Sequence, residues 1–163
     1  MKVIGIIGLK NSGKTYFAKK IILKLSSLNL KIASIKHAHH DFDIDQPNTD
    51  SYMHRKAGSE QIIISSSKRW AKIIELKDSK EKNLKELIDE LEKPDIVIVE
   101  GFKNENHTKI EIIKDPYDIS SYLFKDVKNV IALVSEMKIS SFNKAQFYKN
   151  QIDDIVQYIL DYQ

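Results

Sequence analysis

Cysteine is missing from all 163 residues. Its absence excludes disulfides and thiolate metal sites and fits a reducing, cytoplasmic setting. There is also no long apolar run. The N-terminal hydrophobic stretch is interrupted by Gly5 and Gly8, so it reads as a core strand and not as a targeting or membrane-spanning segment. Neither sign of charge dominates: 26 basic and 23 acidic residues are spread along the chain and leave a net charge of +3. That balance gives little reason to invoke nucleic acid and describes a solvated, Lys-rich surface. Arginine is scarce, with only Arg55 and Arg69. Internal repeats and low-complexity tracts are absent. With 42% hydrophobic residues, the chain is long enough for one domain with a real core and short for two, so a single domain over residues 1–163 is expected.

Against this background one stretch stands out. Gly8, four intervening residues, Gly13, Lys14 and Thr15 fit G-x-x-x-x-G-K-[ST] without a mismatch. The glycines permit backbone angles that a Cβ would forbid, so that successive N–H groups converge on phosphate oxygens. Lys14 adds a point charge for the β- and γ-phosphates, the Thr15 hydroxyl suits Mg²⁺, and the following helix presents its positive end to the same anion. Val3, Ile4, Ile6 and Ile7 precede the loop as a buried parallel strand would. Ala18, Ile21, Ile22, Leu25 and Leu28 follow at helical spacing. The ligand-binding candidates are therefore Gly8, Lys10, Asn11, Ser12, Gly13, Lys14, Thr15 and Tyr16. Lys10, Lys14, Lys19, Lys20, Lys24, Lys31 and Lys36 gather in the first quarter of the chain, where some can steer a polyphosphate toward the loop.

Residues 31–36 read as a second strand, giving the βαβ start of a parallel sheet with helices on its faces. The polar segment that follows contains His37, His39, His40, Asp41, Asp43 and Asp45. It admits a metal site, a ligand-facing loop or a plain solvated loop, and no accepted zinc spacing is present. Asp41, Asp43 and Asp45 alternate with Phe42 and Ile44, the pattern of an extended segment with one buried face. A short helix over 50–57, closed by Gly58, starts at Asp50, which either caps it or serves as a Mg²⁺ ligand. Residues 60–64 and 69–76 suggest a β-hairpin, with Trp70 as a packing or interface aromatic.

The spacing of Leu84, Leu87, Ile88 and Leu91 predicts a helix over 80–92, ended by Pro94. Residues 95–101 then describe a buried strand that delivers Glu100 to the ligand edge of the sheet, where Mg²⁺ or its water shell would sit. Lys14 and Glu100 are the candidates for catalysis; Thr15, Asp50 and Glu100 are those for metal. Polar residues 104–107, including His107, read as a solvated turn. Further strands are expected over 109–113 and 130–134, with a short helix over 117–125 and a terminal helix from about Asn143. Ser135 and Glu136 are candidates for base recognition. The fold class is thus α/β, a three-layer α/β/α arrangement of the P-loop NTPase kind, with a mainly parallel sheet plus a hairpin.

The chain resembles the molybdopterin-guanine dinucleotide biosynthesis protein B (MobB) family over its whole length. The likeness rests on Ile7–Thr15, on the run Ile35-Lys-His-Ala-His-His-Asp-Phe-Asp-Ile-Asp45, on Asp50-Ser-Tyr-Met-His-Arg-Lys-Ala-Gly58, on Arg69-Trp-Ala71 and on Val99-Glu-Gly-Phe-Lys103. The resemblance implies a homodimeric GTP-binding protein with weak GTPase activity, using Mg²⁺. It would assist a MobA-like molybdenum cofactor guanylyltransferase in joining GMP to molybdopterin, itself a further candidate ligand. It also implies a loop class shared with dethiobiotin synthetase and nickel-chaperone GTPases, in which Asp50, Thr15 and Glu100 match the Mg²⁺ positions. Alternatives are an ATP-dependent small-molecule kinase or ligase of the dethiobiotin synthetase-like class, with Lys36 or Lys103 stabilising transferred charge, and a nickel-type metallochaperone GTPase. Asn143-Lys-Ala-Gln146 lacks the Asp of the Asn-Lys-x-Asp guanine motif, so GTP preference rests on the resemblance.

Overall fold

A computed structural model describes residues 1–38, 42–77 and 80–162. The chain falls into two compact units, one of Met1–His37 with Leu84–Gln163 and the other of Ala38–Asn83.

The larger unit is built on six parallel strands: β1 (Lys2–Ile7), β2 (Ile32–Lys36), β5 (Ile96–Glu100), β6 (Thr108–Ile112), β7 (Val130–Ser135) and β8 (Ala145–Tyr148), in the spatial order β2-β5-β1-β6-β7-β8. Alternation sorts each strand's residues between two faces. Ile4 and Ile6, Ile96 and Ile98, Ile110 and Ile112 pack against helices α1 (Lys14–Ser26) and α4 (Ile152–Asp161), which contribute Phe17, Ile21, Leu25, Ile155 and Ile159. On the other face Val97 and Val99 meet Leu84 and its neighbours on α3 (Leu84–Asp89). Ile7 and Leu133 meet Tyr122, Ile139 and Phe142. The result is a parallel sheet buried on both faces, as βαβ crossovers require.

The smaller unit holds α2 (Asp50–Lys56) and the antiparallel hairpin β3 (Gln61–Ser65) with β4 (Trp70–Ile74), close to the two runs from which a hairpin is expected. Trp70 is largely exposed. Arg55 is the unit's anchor: its guanidinium donates through Nη2 and Nε to both oxygens of Asp45, at 2.8 and 3.2 Å, and also pairs with Asp43 at 2.8 Å.

Several boundaries differ from the sequence expectation, each for a physical reason. The terminal helix does not begin near Asn143. Residues 145–148 form β8 instead, with Ala145 and Phe147 packed into the core and Gln146 bonded to the backbone of Ile139 and Phe142. The helix expected over 80–92 shortens to α3, because the apolar stripe that holds it starts only at Leu84. The helix expected over 117–125 is two 3₁₀ turns, Ile119–Ser121 and Leu123–Lys125. Thr49, not Asp50, occupies the cap position of α2, and Asp50 is its first helical residue. The alternation around Asp43 is inverted: Phe42 and Ile44 are exposed while Asp45 is buried, since Arg55 satisfies its carboxylate.

The turn expected over 104–107 is present, with Asn104 and Asn106 exposed, but the His107 ring is not solvated in it. Both ring nitrogens of His107 are buried without a hydrogen-bond partner, and the ring fills the space left by the missing side chain of Gly5. Beside it Lys109 is fully buried, its ammonium donating to the carbonyls of Glu105, His107 and Lys128. Glu111, also buried, accepts from the Leu123 and Phe124 amides and so fixes the second 3₁₀ turn.

Candidate functional site

Between β1 and α1 the loop of residues 8–13 follows a path that glycine permits. Gly8 has φ +151° and Gly13 φ +96°, where side chains are rarely tolerated, and Asn11 takes φ +63°. A Cβ on Gly8 would stand 2.5 Å from both the Ile112 carbonyl oxygen and the Ser12 hydroxyl. Gly13 is the left-handed residue from which α1 starts. The Ser12 hydroxyl is buried and has no partner. An unpaired buried polar atom in a glycine-shaped loop at a helix N-terminus is a setting that a phosphate-bearing ligand fits.

Lys14, the first residue of α1, folds back across this loop, its ammonium donating to the Leu9 carbonyl at 2.7 Å. The same oxygen accepts from the Ser12 amide at 3.2 Å. Burial holds the proton affinity of Lys14 below the ordinary lysine range. The Glu100 carboxylate works against that shift and the Lys36 ammonium adds to it.

One residue further, the Thr15 hydroxyl donates to Glu100 Oε1 at 2.7 Å. The strand alternation explains why. Ile96, Ile98 and Glu100 share the face covered by α1, so the last residue of β5 projects under the first turn of that helix. Lys36 ends β2 directly opposite Glu100 in the parallel ladder, and its Nζ lies 3.8 Å from Glu100 Oε1. Glu100 is mostly enclosed and Lys36 is open to water. Two hard oxygens at the loop, one of them carboxylate, suit Mg²⁺. Next to them a groove of about 460 Å³ runs between α1 and the sheet. Ala18, Ile22 and Ile98 line its apolar length, and Thr15, Lys36 and Glu100 line its polar end.

The other sequence candidates are distributed as follows. Lys10 and Asn11 are exposed. Tyr16 is half exposed, edge-on to Phe17 and beneath the Lys20 ammonium. Asp50 is exposed and belongs to the smaller unit. Ser135 is buried, its hydroxyl near the Met137 amide, and Glu136 pairs with Lys149. His39, His40 and Asp41 lie outside the described residues; among the described residues no group of three His, Cys, Asp or Glu is arranged to hold a metal. No helix among them is long and apolar enough to cross a membrane. What the sequence left hidden is the partnership of Lys36 with Glu100 and the occupation of Arg55. The first depends on strand register, the second on a carboxylate ten residues upstream.

Comparison with known proteins agrees with this picture. The family described as "Molybdopterin guanine dinucleotide synthesis protein B" matches residues 3–136. The chain is 33% identical over 153 residues to the molybdopterin-guanine dinucleotide biosynthesis adapter protein of Escherichia coli (strain K12), covering 93% of this chain and 87% of that one. It is 34% identical over 134 residues to the protein of the same description from Haemophilus influenzae, covering 78% and 74%. The crystal structure of Bacillus subtilis MobB superimposes with a TM-score of 0.76 at 22% identity, covering 98% of this chain and 96% of that one, a likeness of fold.

Proposed function

The chain belongs to the molybdopterin guanine dinucleotide synthesis protein B family, and from that premise we propose that it is a GTP-binding adapter with slow GTPase activity. In this reading it assists attachment of GMP to molybdopterin during molybdenum cofactor biosynthesis. It works as a cytoplasmic homodimer beside a MobA-like guanylyltransferase, with molybdopterin as a further candidate ligand. The observation that carries the reading is the convergence of Thr15 and Glu100 at the end of a glycine-shaped loop. Gly8 and residues 10–16 receive the phosphates, with Lys14 as the loop cation. Thr15 and Glu100 hold Mg²⁺, with Asp50 as a further candidate ligand. When bound, the metal neutralises charge on the β- and γ-phosphates.

Slow turnover follows from the shortage of a suitable arginine. Arg55 is engaged by Asp43 and Asp45 and is mostly enclosed, and phosphate loops without a placed arginine hydrolyse on the order of once in minutes or longer. The site then serves as a binding and conformational device for a partner enzyme.

The apolar groove beside Thr15 favours one alternative, an ATP-dependent kinase or ligase with its acceptor seated there. Calorimetric titration with GTP, ATP, Mg²⁺ and Ni²⁺ separates the readings. Guanine-selective micromolar binding supports the adapter, adenine selectivity the kinase, and tight Ni²⁺ binding a metallochaperone. Normal molybdoenzyme activity in a strain lacking the gene would remove the pathway assignment while leaving nucleotide binding in place.

A further inference from the structure

Lys36 is held in place by backbone register. It is opposite Glu100 in the β2–β5 ladder, and the next amide, His37 N–H, donates to the Glu100 carbonyl at 2.9 Å. Opposed residues in a parallel pair project to the same face, so the Lys36 ammonium is delivered to the side of the sheet where α1 starts. There it meets Glu100 at 3.8 Å, beyond hydrogen-bond distance, with 64% of its side chain exposed. A long, water-exposed ion pair adds little to folding stability. Stability therefore does not account for a lysine at this point.

The electrostatics point to a ligand instead. Lys36 and Lys14 act on each other through like charge beside a single carboxylate. Two ammonium groups within electrostatic reach of one carboxylate leave a local excess of positive charge that attracts an anion. The larger unit also contains no arginine, since Arg55 and Arg69 both belong to residues 38–83. Any side-chain cation that this unit offers a terminal phosphate, beyond its backbone amides, is therefore a lysine or a histidine. Lys14 approaches from the loop side, its ammonium resting on the Leu9 carbonyl in the unliganded site. Lys36 extends from the opposite side, the neighbouring edge strand.

We propose that Lys36 is a phosphate-binding residue that distinguishes a nucleoside triphosphate from a diphosphate: its ammonium leaves Glu100 for the γ-phosphate. In the unliganded site Glu100 is shared between Thr15 and Lys36; once the carboxylate is engaged by a metal ion, the ammonium is released toward the new anion. This inference rests on the triphosphate-binding reading above.

The test is calorimetric titration of the full chain and its Lys36→Ala and Lys36→Arg variants with GDP and a non-hydrolysable GTP analogue in Mg²⁺, with thermal melting as the check on folding. Lys36→Ala is expected to weaken the triphosphate about 10- to 100-fold, the loss of one charge-assisted hydrogen bond, while GDP affinity and melting stay as in the parent. Lys36→Arg is expected to restore most of the loss. A parent that binds neither nucleotide would overturn the triphosphate reading and this inference with it. A parent that binds both, with a Lys36→Ala variant that keeps its preference or loses both affinities equally, overturns the role of Lys36 alone.

Discussion

Thr15 and Glu100 lie 85 positions apart in sequence, yet the threonine hydroxyl donates to the glutamate carboxylate at 2.7 Å. The first sits on the opening turn of the helix that follows the glycine loop, the second at the end of the sheet's buried strand. Their meeting makes the loop one side of a site, and the consequences can be measured.

Lys14→Ala is expected to lower nucleotide affinity about 100-fold or more while leaving the fold intact, because the ammonium binds charge and supports no core packing. Titration with GTP, beside circular dichroism, checks both halves. Unchanged affinity would count heavily against a phosphate-binding loop.

Glu100→Gln keeps an oxygen for the Thr15 hydroxyl and removes the carboxylate charge. The expected result is about a tenfold or larger loss of GTP affinity in Mg²⁺ and little change in its absence. Titrations with and without the metal make the comparison. An unaltered Mg²⁺ dependence would deny Glu100 a place at the ion.

Gly5 is required for space. A Cβ there would collide with His107 Nε2 and lie 3.1 Å from Lys109 Cγ. Gly5→Ala should destabilise the fold by about 1–3 kcal/mol through overpacking. In Gly5→Ala/His107→Ala the clash is relieved, so denaturant unfolding of the four species should show the two substitutions to be non-additive.

His107 gives the protein an acid limb. Burial, reinforced by the Lys109 charge, lowers its pKa from 6.5 to about 4. The folded state therefore binds fewer protons than the unfolded state between those values. Stability from this source is complete above pH 6.5 and is lost as pH falls toward 4. Allowing for solvent screening, the loss is about 2 kcal/mol. In His107→Gln the difference between unfolding free energies at pH 7 and pH 4.5 should shrink by that amount; an identical difference would place the titration elsewhere.

Much of the fold was legible because the signals are local. The glycine loop, the stripe of Ala18, Ile21 and Leu25, and the apolar run ending at Glu100 each carry their own period. The elements misread were those whose periodicity is short or borrowed. Ala145–Tyr148 is four residues long and is a strand only because β7 offers it a ladder. Residues 119–125 form two 3₁₀ turns because Asp118 caps the first and the buried Glu111 carboxylate takes the Leu123 and Phe124 amides of the second. His107 and Lys109 look like surface residues until the sheet closes over them.

By itself the sequence determined which chemistry is present: a turn that only glycine can make, a lysine and a threonine at its end, and a carboxylate closing an apolar strand. Backbone freedom and side-chain type are properties of single residues and their neighbours, so they can be read in a line. Tertiary structure decided the pairings: Thr15 with Glu100, Lys36 opposite Glu100, Arg55 locked onto Asp45, His107 beneath Gly5. Each depends on strand register and on which face a side chain takes, and these are fixed only when the sheet assembles and buries its two faces at once.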